Sequence, residues 1–143
     1  MRLTLNQLLF GTSQAKDEVL LPVLTELGLG RGQPRILTYL LDHESGTQNE
    51  IANYFEVDPA SVSRMVETLR KNGFITRTAI EDCRRSNKLE LTDKGKSTAE
   101  IWREKYRALE SKLLAGFSEE EKHQLEELLQ RVLDNARKGS GNE

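Results

Sequence analysis

Residues 47–92 read TQNEIANYFEVDPASVSRMVETLRKNGFITRTAIEDCRRSNKLELT, and this stretch decides the fold. Thr47-Gln48-Asn49-Glu50 has the form of a capping box, in which an N-cap hydroxyl and a carboxylate three residues on satisfy each other's backbone donors. Ile51, Ala52 and Phe55 give that helix a short apolar stripe. Glu56-Val57-Asp58 turns the chain. Asp58 is placed to cap a second helix, and Pro59 falls at its first position, where a missing N–H costs nothing. Val62, Met65, Val66 and Leu69 then recur at i, i+3, i+4 and i+7, which makes one buried face. Ser61, Ser63, Arg64, Glu67 and Thr68 make the other face polar. Gly73 stands where a helix end favours a left-handed residue. Residues 74–80 are β-rich, Leu89-Glu90-Leu91 alternates, and residues 81–88 are charged and turn-like, which predicts a hairpin with a long tip. Two short helices joined by a tight turn, followed by a basic hairpin, is an arrangement that enters the major groove of double-stranded DNA.

The flanks are helical. Leu5, Leu8 and Leu9 begin a pattern that resumes at Leu20, Val23, Leu24 and Leu27, with Gly11 and Pro22 interrupting it, so one kinked helix and two pieces both fit. After the loop Gly28-Leu29-Gly30-Arg31-Gly32, Gln33-Pro34 opens a helix with Ile36, Leu37, Leu40 and Leu41 inward, ending near residues 42–46. Beyond residue 93, Ala99, Trp102, Tyr106, Leu109 and Leu113 lie three or four apart. Gly116 and Phe117 break that run, and Ser118-Glu119-Glu120-Glu121 is a second capping box. Leu125, Leu128, Leu129, Val132, Leu133 and Ala136 follow as a stripe. The expected organisation is a mainly α chain with a small β-hairpin wing. Residues 1–28 and 93–137 form dimerisation helices, residues 33–92 a winged helix-turn-helix, and residues 138–143 a disordered tail. The terminal helices carry more apolar surface than a small winged helix can cover. A second copy would cover it and would supply two reading helices for a pseudo-palindromic site; a helical cap folded back on its own domain is the alternative.

At 143 residues the chain is one domain's worth, able to bury roughly 70% of its unfolded surface. With 36% hydrophobic and 31% charged residues, it fits neither a disordered chain nor a membrane span, and no membrane partner is expected. The N-terminal residues read as the start of a helix rather than an export signal. A single cysteine, Cys83, excludes an intrachain disulfide and suits a reducing cytoplasm. The net charge of −2 is unevenly spread: residues 58–96 carry nine basic and six acidic side chains, and both flanks are net acidic. Phosphate affinity follows local patches, so the reading segment keeps the charge it needs while non-specific binding stays modest.

The ordered set Gln33-Pro34-Arg35-Ile36-Leu37, Thr47-Gln48-x-Glu50-Ile51-Ala52, Ser61-Val62-Ser63-Arg64-Met65-Val66-x-x-Leu69-x-x-x-Gly73-Phe74-Ile75-x-Arg77, Asp82-x-Arg84 and Leu91-Thr92-x-x-Gly95 resembles the MarR family of transcriptional regulators over nearly the whole chain. The resemblance implies a homodimeric regulator, a repressor or an activator. It also implies a response to a small aromatic or phenolic effector, an oxidant or occasionally a metal. It would set residues 58–72 in the major groove and the hairpin tip, residues 80–88, in the neighbouring minor groove. The family's wing often reads Asp-x-Arg-Asp-x-Arg. Here it is Asp82-Cys83-Arg84-Arg85-Ser86-Asn87, with Arg85 for the second acid and Asn87 for the last arginine, which leaves the tip more positive.

The expected DNA contacts are Ser61, Ser63, Arg64 and Thr68 on the second helix, and Arg77, Arg84, Arg85 and Lys88 on the wing. Gln33, Arg35, Gln48 and Asn49 are weaker backbone candidates. Arg64 can make the bidentate contact that distinguishes guanine, while serines mostly meet phosphates. Glu67 would repel phosphate unless it points away or accepts from a cytosine amino group. Phe10, Tyr39, Trp102 and Tyr106 are candidates to line an effector cavity, with plain core as the alternative. Cys83 has Arg84 and Arg85 beside it to favour a thiolate, but Glu81 and Asp82 oppose it, and an inert cysteine is expected. His43 and His123 have no ligand-spaced partners, and no nucleophile, P-loop or dinucleotide pattern occurs. Neither metal, cofactor nor enzymatic activity is expected. The rival readings are a constitutive regulator without effector and a winged-helix module that binds protein instead of DNA.

Overall fold

A computed structural model of the chain describes residues 2–80 and 83–140, without the side chains of residues 80, 83–86, 139 and 140. Its elements are α1 (Leu5–Leu27), α2 (Gln33–His43), α3 (Gln48–Phe55), α4 (Pro59–Lys71), β1 (Ile75–Ile80), β2 (Cys83–Leu91), α5 (Asp93–Leu113) and α6 (Glu119–Ser140). Contacts divide the chain into two compact units, Met1–Arg107 and Ala108–Glu143.

The first unit is organised around α4. Val62, Val66 and Leu69 are completely buried against Ile36, Leu37 and Leu40 of α2, Ile51 and Ala52 of α3, Phe74, Ile75 and Leu89 of the hairpin region, and Ala99 of α5. Thr47 caps α3 by accepting from the Glu50 N–H at 3.2 Å. Among the described residues the reciprocal half of that capping box does not form; the Glu50 carboxylate lies near Gly46 instead. Asp58 is the N-cap of α4 without capping it through its side chain. Its carboxylate accepts from the Ser61 hydroxyl at 3.4 Å. Pro59 opens α4 as the sequence predicts, and Gly73 follows its end at φ +82°, a conformation that costs a residue with a Cβ.

The hairpin is longer than the sequence suggests. β1 and β2 pair antiparallel with Ile75 opposite Leu91, Thr78 opposite Lys88 and Ala79 opposite Asn87, and the register shifts before Ile80 meets Cys83. Residues 83–88, read from sequence as tip, are therefore strand. Residues 83–88 show no apolar alternation, so their composition hid the strand. The backbone of Leu89 also exchanges two hydrogen bonds with Gly46, at 2.7 and 3.2 Å, which ties the α2–α3 connection to β2.

α1 is one helix that runs through Gly11 and Pro22. Pro22 leaves the Glu18 carbonyl without its helical donor, but both residues are exposed, so water can satisfy the carbonyl. In the second unit, Ser118 and Glu121 form the full predicted capping box, at 2.9 and 3.1 Å. α6 continues to Ser140, so residues 138–140 are helical where a disordered tail was expected; residues 141–143 lie outside the described residues.

The end of α4 is clasped to the start of α5. The Thr92 hydroxyl donates to the Gly73 carbonyl at 2.6 Å and accepts the Gly95 N–H at 3.0 Å. Lys94 donates to the Asn72 carbonyl at 2.8 Å and lies 4.4 Å above the Phe74 ring. Gly95 is needed for this approach, because a Cβ there would overlap the Phe74 carbonyl oxygen and come within 2.9 Å of its carbon. Gly95→Ala should therefore lower stability by about 1–3 kcal/mol, the usual cost of overpacking. A denaturant midpoint equal to wild type would show that the clasp relaxes freely.

Candidate nucleic-acid interface

The face of α4 opposite its buried stripe carries Ser63, Arg64, Glu67, Thr68 and Lys71. Arg64 and Lys71 are seven residues apart, about two turns, so the row runs the length of the helix. At its N-terminal end the side chains form a chain of hydrogen bonds. Arg64 Nη2 donates to the Ser61 hydroxyl at 3.2 Å, and that hydroxyl donates to Asp58. The Thr68 hydroxyl bonds back to the Arg64 carbonyl at 3.1 Å. Arg64 is exposed yet oriented, as a side chain suited to a planar bidentate contact would be.

At the other end, Glu67 is held by two arginines. Arg70 approaches its carboxylate with two nitrogens, Nη2 at 2.7 Å and Nε at 3.1 Å, and Arg77 Nη1 lies 3.7 Å from Oε2. The hydrogen bond from Arg70 is the main reason the Glu67 carboxyl titrates below the ordinary glutamate value; burial opposes the shift, and the charges of Arg70, Arg77 and Lys71 reinforce it. The Arg70 guanidinium is shifted upward for the same reason. The stabilisation from this group is in place at neutral pH, above the unfolded-state value, and is lost as pH falls through the depressed folded value.

Arg77 thus turns toward α4. It faces Leu89 across the hairpin and shares a side of β1 with buried Ile75, so its stem lies over α4 and its head reaches Glu67. Lys88, opposite Thr78, is exposed and pairs with Glu90 at 3.7 Å. The side chains of Cys83, Arg84 and Arg85 lie outside the described residues; their backbones belong to β2. Gln48 opens α3 half-buried, with Asn49 exposed beside it. Gln33 does not belong to the surface. It is only 7% exposed, and its Oε1 accepts the Gly30 N–H at 2.8 Å, so it holds the loop that leads into α2.

Arg35 goes to a different place, a cleft of about 590 Å³ lined by α1, α2 and α5. Trp102 and Tyr106 line it with Leu20 and Leu24; Lys16, Arg31, Arg103 and Arg107 bring further positive charge, and Asp17, 3.7 Å from Arg31, brings one negative charge. The Lys16 ammonium sits 5.4 Å from the Tyr106 ring centre. Arg103 forms a two-pronged pair with Asp42, at 2.8 Å on each side. Of the four aromatic candidates only these two line the cleft. Phe10 is exposed on α1. Tyr39 is buried and stacks on His43 at 4.1 Å, with Tyr54 and Phe55 edge-on; burial raises its phenol above the usual value, with Glu50 and Tyr54 adding to the shift. The sequence reading missed the basic lining because Lys16, Arg31 and Arg103 come from segments far apart in the chain. The Glu67–Arg70 pair carried a readable signal, opposite charges at i and i+3. Among the described residues no cluster of three His, Cys, Asp or Glu side chains could hold a metal ion, and no helix is long and apolar enough to cross a membrane.

The sequence model of the MarR family matches residues 29–86, from the loop before α2 into the hairpin. The HTH-type transcriptional regulator BilQ of Clostridium symbiosum is 33% identical over 109 residues, which cover 76% of this chain and 76% of BilQ. YybA of Bacillus subtilis, an uncharacterized HTH-type transcriptional regulator, is 29% identical over 123 residues, 86% of this chain and 82% of its own. Among solved structures, MepR of S. aureus in its DNA complex matches with a TM-score of 0.83 at 25% identity, covering 93% of this chain and 96% of that one.

Proposed function

The chain belongs to the MarR family of transcriptional regulators, and from that premise we propose that it acts as a homodimer on a pseudo-palindromic operator and represses transcription there. The observation that carries the DNA contact is the outward row of α4. It is polar along its length, with an oriented Arg64, while the helix beneath it is anchored by completely buried side chains. The geometry supports base reading by Arg64, and phosphate contacts by Ser61, Ser63 and Thr68. Arg84 and Arg85 are assigned to the wing's contacts on their sequence alone. The proposed site of action is the cytoplasm.

Arg64→Ala should weaken binding to the cognate duplex by about 1–3 kcal/mol and relax preference at one base pair in each half-site. Fluorescence anisotropy on cognate and random duplexes decides this. An equal loss on both makes Arg64 a phosphate contact, and salt-independent binding would favour a protein-interaction module instead.

Apolar side chains left exposed within each unit support the homodimer: Leu5, Leu8, Leu9 and Phe10 on α1, and Leu128, Leu129, Val132 and Leu133 on α6. Such patches on a chain of this size mark an association surface. In sedimentation the protein should run as a dimer of 16.3 kDa chains at micromolar concentration, and removal of residues 118–143 should abolish that state. A monomeric full-length protein contradicts it.

The cleft supports an effector that is small, aromatic and anionic: two aromatic rings and aliphatic side chains offer contact area, and the basic lining offers charge. An aromatic carboxylate such as benzoate should lower DNA affinity, and Arg107→Gln should blunt that response. Unchanged DNA affinity at saturating benzoate, or an Arg107→Gln variant that responds as wild type does, would point to a regulator without this effector class.

A further inference from the structure

We propose that Glu67 sets the margin between specific and non-specific DNA binding by keeping Arg70 and Arg77 from indiscriminate contact with phosphates. This rests on the reading of α4 as the DNA-contacting helix.

A carboxylate is an unexpected group on such a face. Glu67 sits on the outward row of α4, one turn after Arg64 and one turn before Lys71, where a bare negative charge would oppose the phosphate backbone. It is not bare. Both nitrogens of Arg70 that face it are within hydrogen-bond distance, and Arg77 closes from β1. The carboxylate therefore joins two guanidinium groups from two elements, one on the reading helix and one at the base of the wing. All three side chains are more than a third exposed, and exposed pairs of this kind add little to stability. A purely structural role is thus a weak account of the trio.

Its electrostatic effect is larger. Non-specific affinity depends on how many phosphates a protein neutralises, and each such contact adds nearly one unit to the slope of affinity against salt. Arg70 and Arg77 lie within residues 58–96, the segment that is net positive in a chain of net charge −2. With Glu67 present, the trio offers a net charge of one rather than two, and either guanidinium must break a charge-assisted contact to reach a phosphate. Arg64, one turn before Glu67, is oriented by Ser61 and Asp58 and does not use this carboxylate. The penalty therefore falls mainly on binding that relies on charge alone, so removing the carboxylate should narrow the gap between right and wrong DNA.

The test is Glu67→Gln in the full-length protein, which keeps the shape and removes the charge. Binding is measured against salt on a random-sequence duplex and on a duplex that the wild-type protein selects from a random pool. The expected result is about three- to tenfold tighter binding to the random duplex, with a salt slope steeper by about one, and a clearly smaller gain on the selected duplex, so that the ratio of the two affinities narrows. Adding Arg77→Gln to that variant should return the random-duplex affinity toward wild type. Equal tightening on both duplexes overturns the proposal, as does no change on either. Weaker binding to the selected duplex overturns it in another way, because Glu67 would then position its arginines for productive contacts. If the wild-type protein itself shows no salt-dependent DNA binding, the DNA-binding reading fails together with this inference.

Discussion

Burial of one face of α4 is the constraint on which the rest of the first unit depends. Val62, Val66 and Leu69 reach complete burial only because α2, α3, the hairpin and the start of α5 all converge on them. Each such side chain contributes roughly 1.5–3 kcal/mol, which is a large share of a typical net stability of about 5–15 kcal/mol. With that face committed to the core, the opposite face has to point outward. The position of Arg64 is thus a consequence of packing beneath it. The clasp at Thr92 and Gly95 extends the same constraint to α5, since it fixes where the long helix starts relative to the end of α4.

The outward face is patterned by charge as well as by polarity. At one end, Asp58, Ser61 and Arg64 are linked by hydrogen bonds that hold a guanidinium without burying it. At the other, Glu67 is neutralised by Arg70 and Arg77. The two ends treat arginine oppositely, one leaving it open to a partner and one closing it on a carboxylate. In a chain whose net charge is −2, this arrangement would confine the proposed attraction for nucleic acid to a small surface. The cleft gathers a second set of basic side chains, from α1, α2, α5 and the loop between the first two helices.

What was legible in the sequence follows from how local each signal is. α3 and α4 were readable because Thr47, Pro59 and Gly73 mark their ends and Val62, Val66 and Leu69 repeat at helical spacing. The outer part of the hairpin was not, because Cys83, Asn87 and Lys88 find their partners on β1 through the backbone and residues 83–88 show no apolar alternation. α1 was ambiguous, since whether Pro22 breaks a helix depends on whether the freed carbonyl is exposed. Gln33 looked like a surface amide and turned inward, because its bond to Gly30 depends on the shape of the preceding loop. Arg35 belongs to the cleft for a similar reason: only the packing of α1, α2 and α5 assembles that site. The four aromatic candidates separated, Trp102 and Tyr106 to the cleft, Tyr39 to a stack with His43 and Phe10 to the exposed surface of α1, a division that spacing along the chain does not contain.

The most direct test is a hydroxyl-radical footprint of the wild-type protein on its selected duplex. Two α4 helices related by two-fold symmetry should protect two patches whose centres lie about one helical turn, ~34 Å, apart or a multiple of it, with protection fading as salt rises. A single unpaired patch, or protection unaffected by salt, would contradict a symmetric DNA-binding dimer that reads through α4.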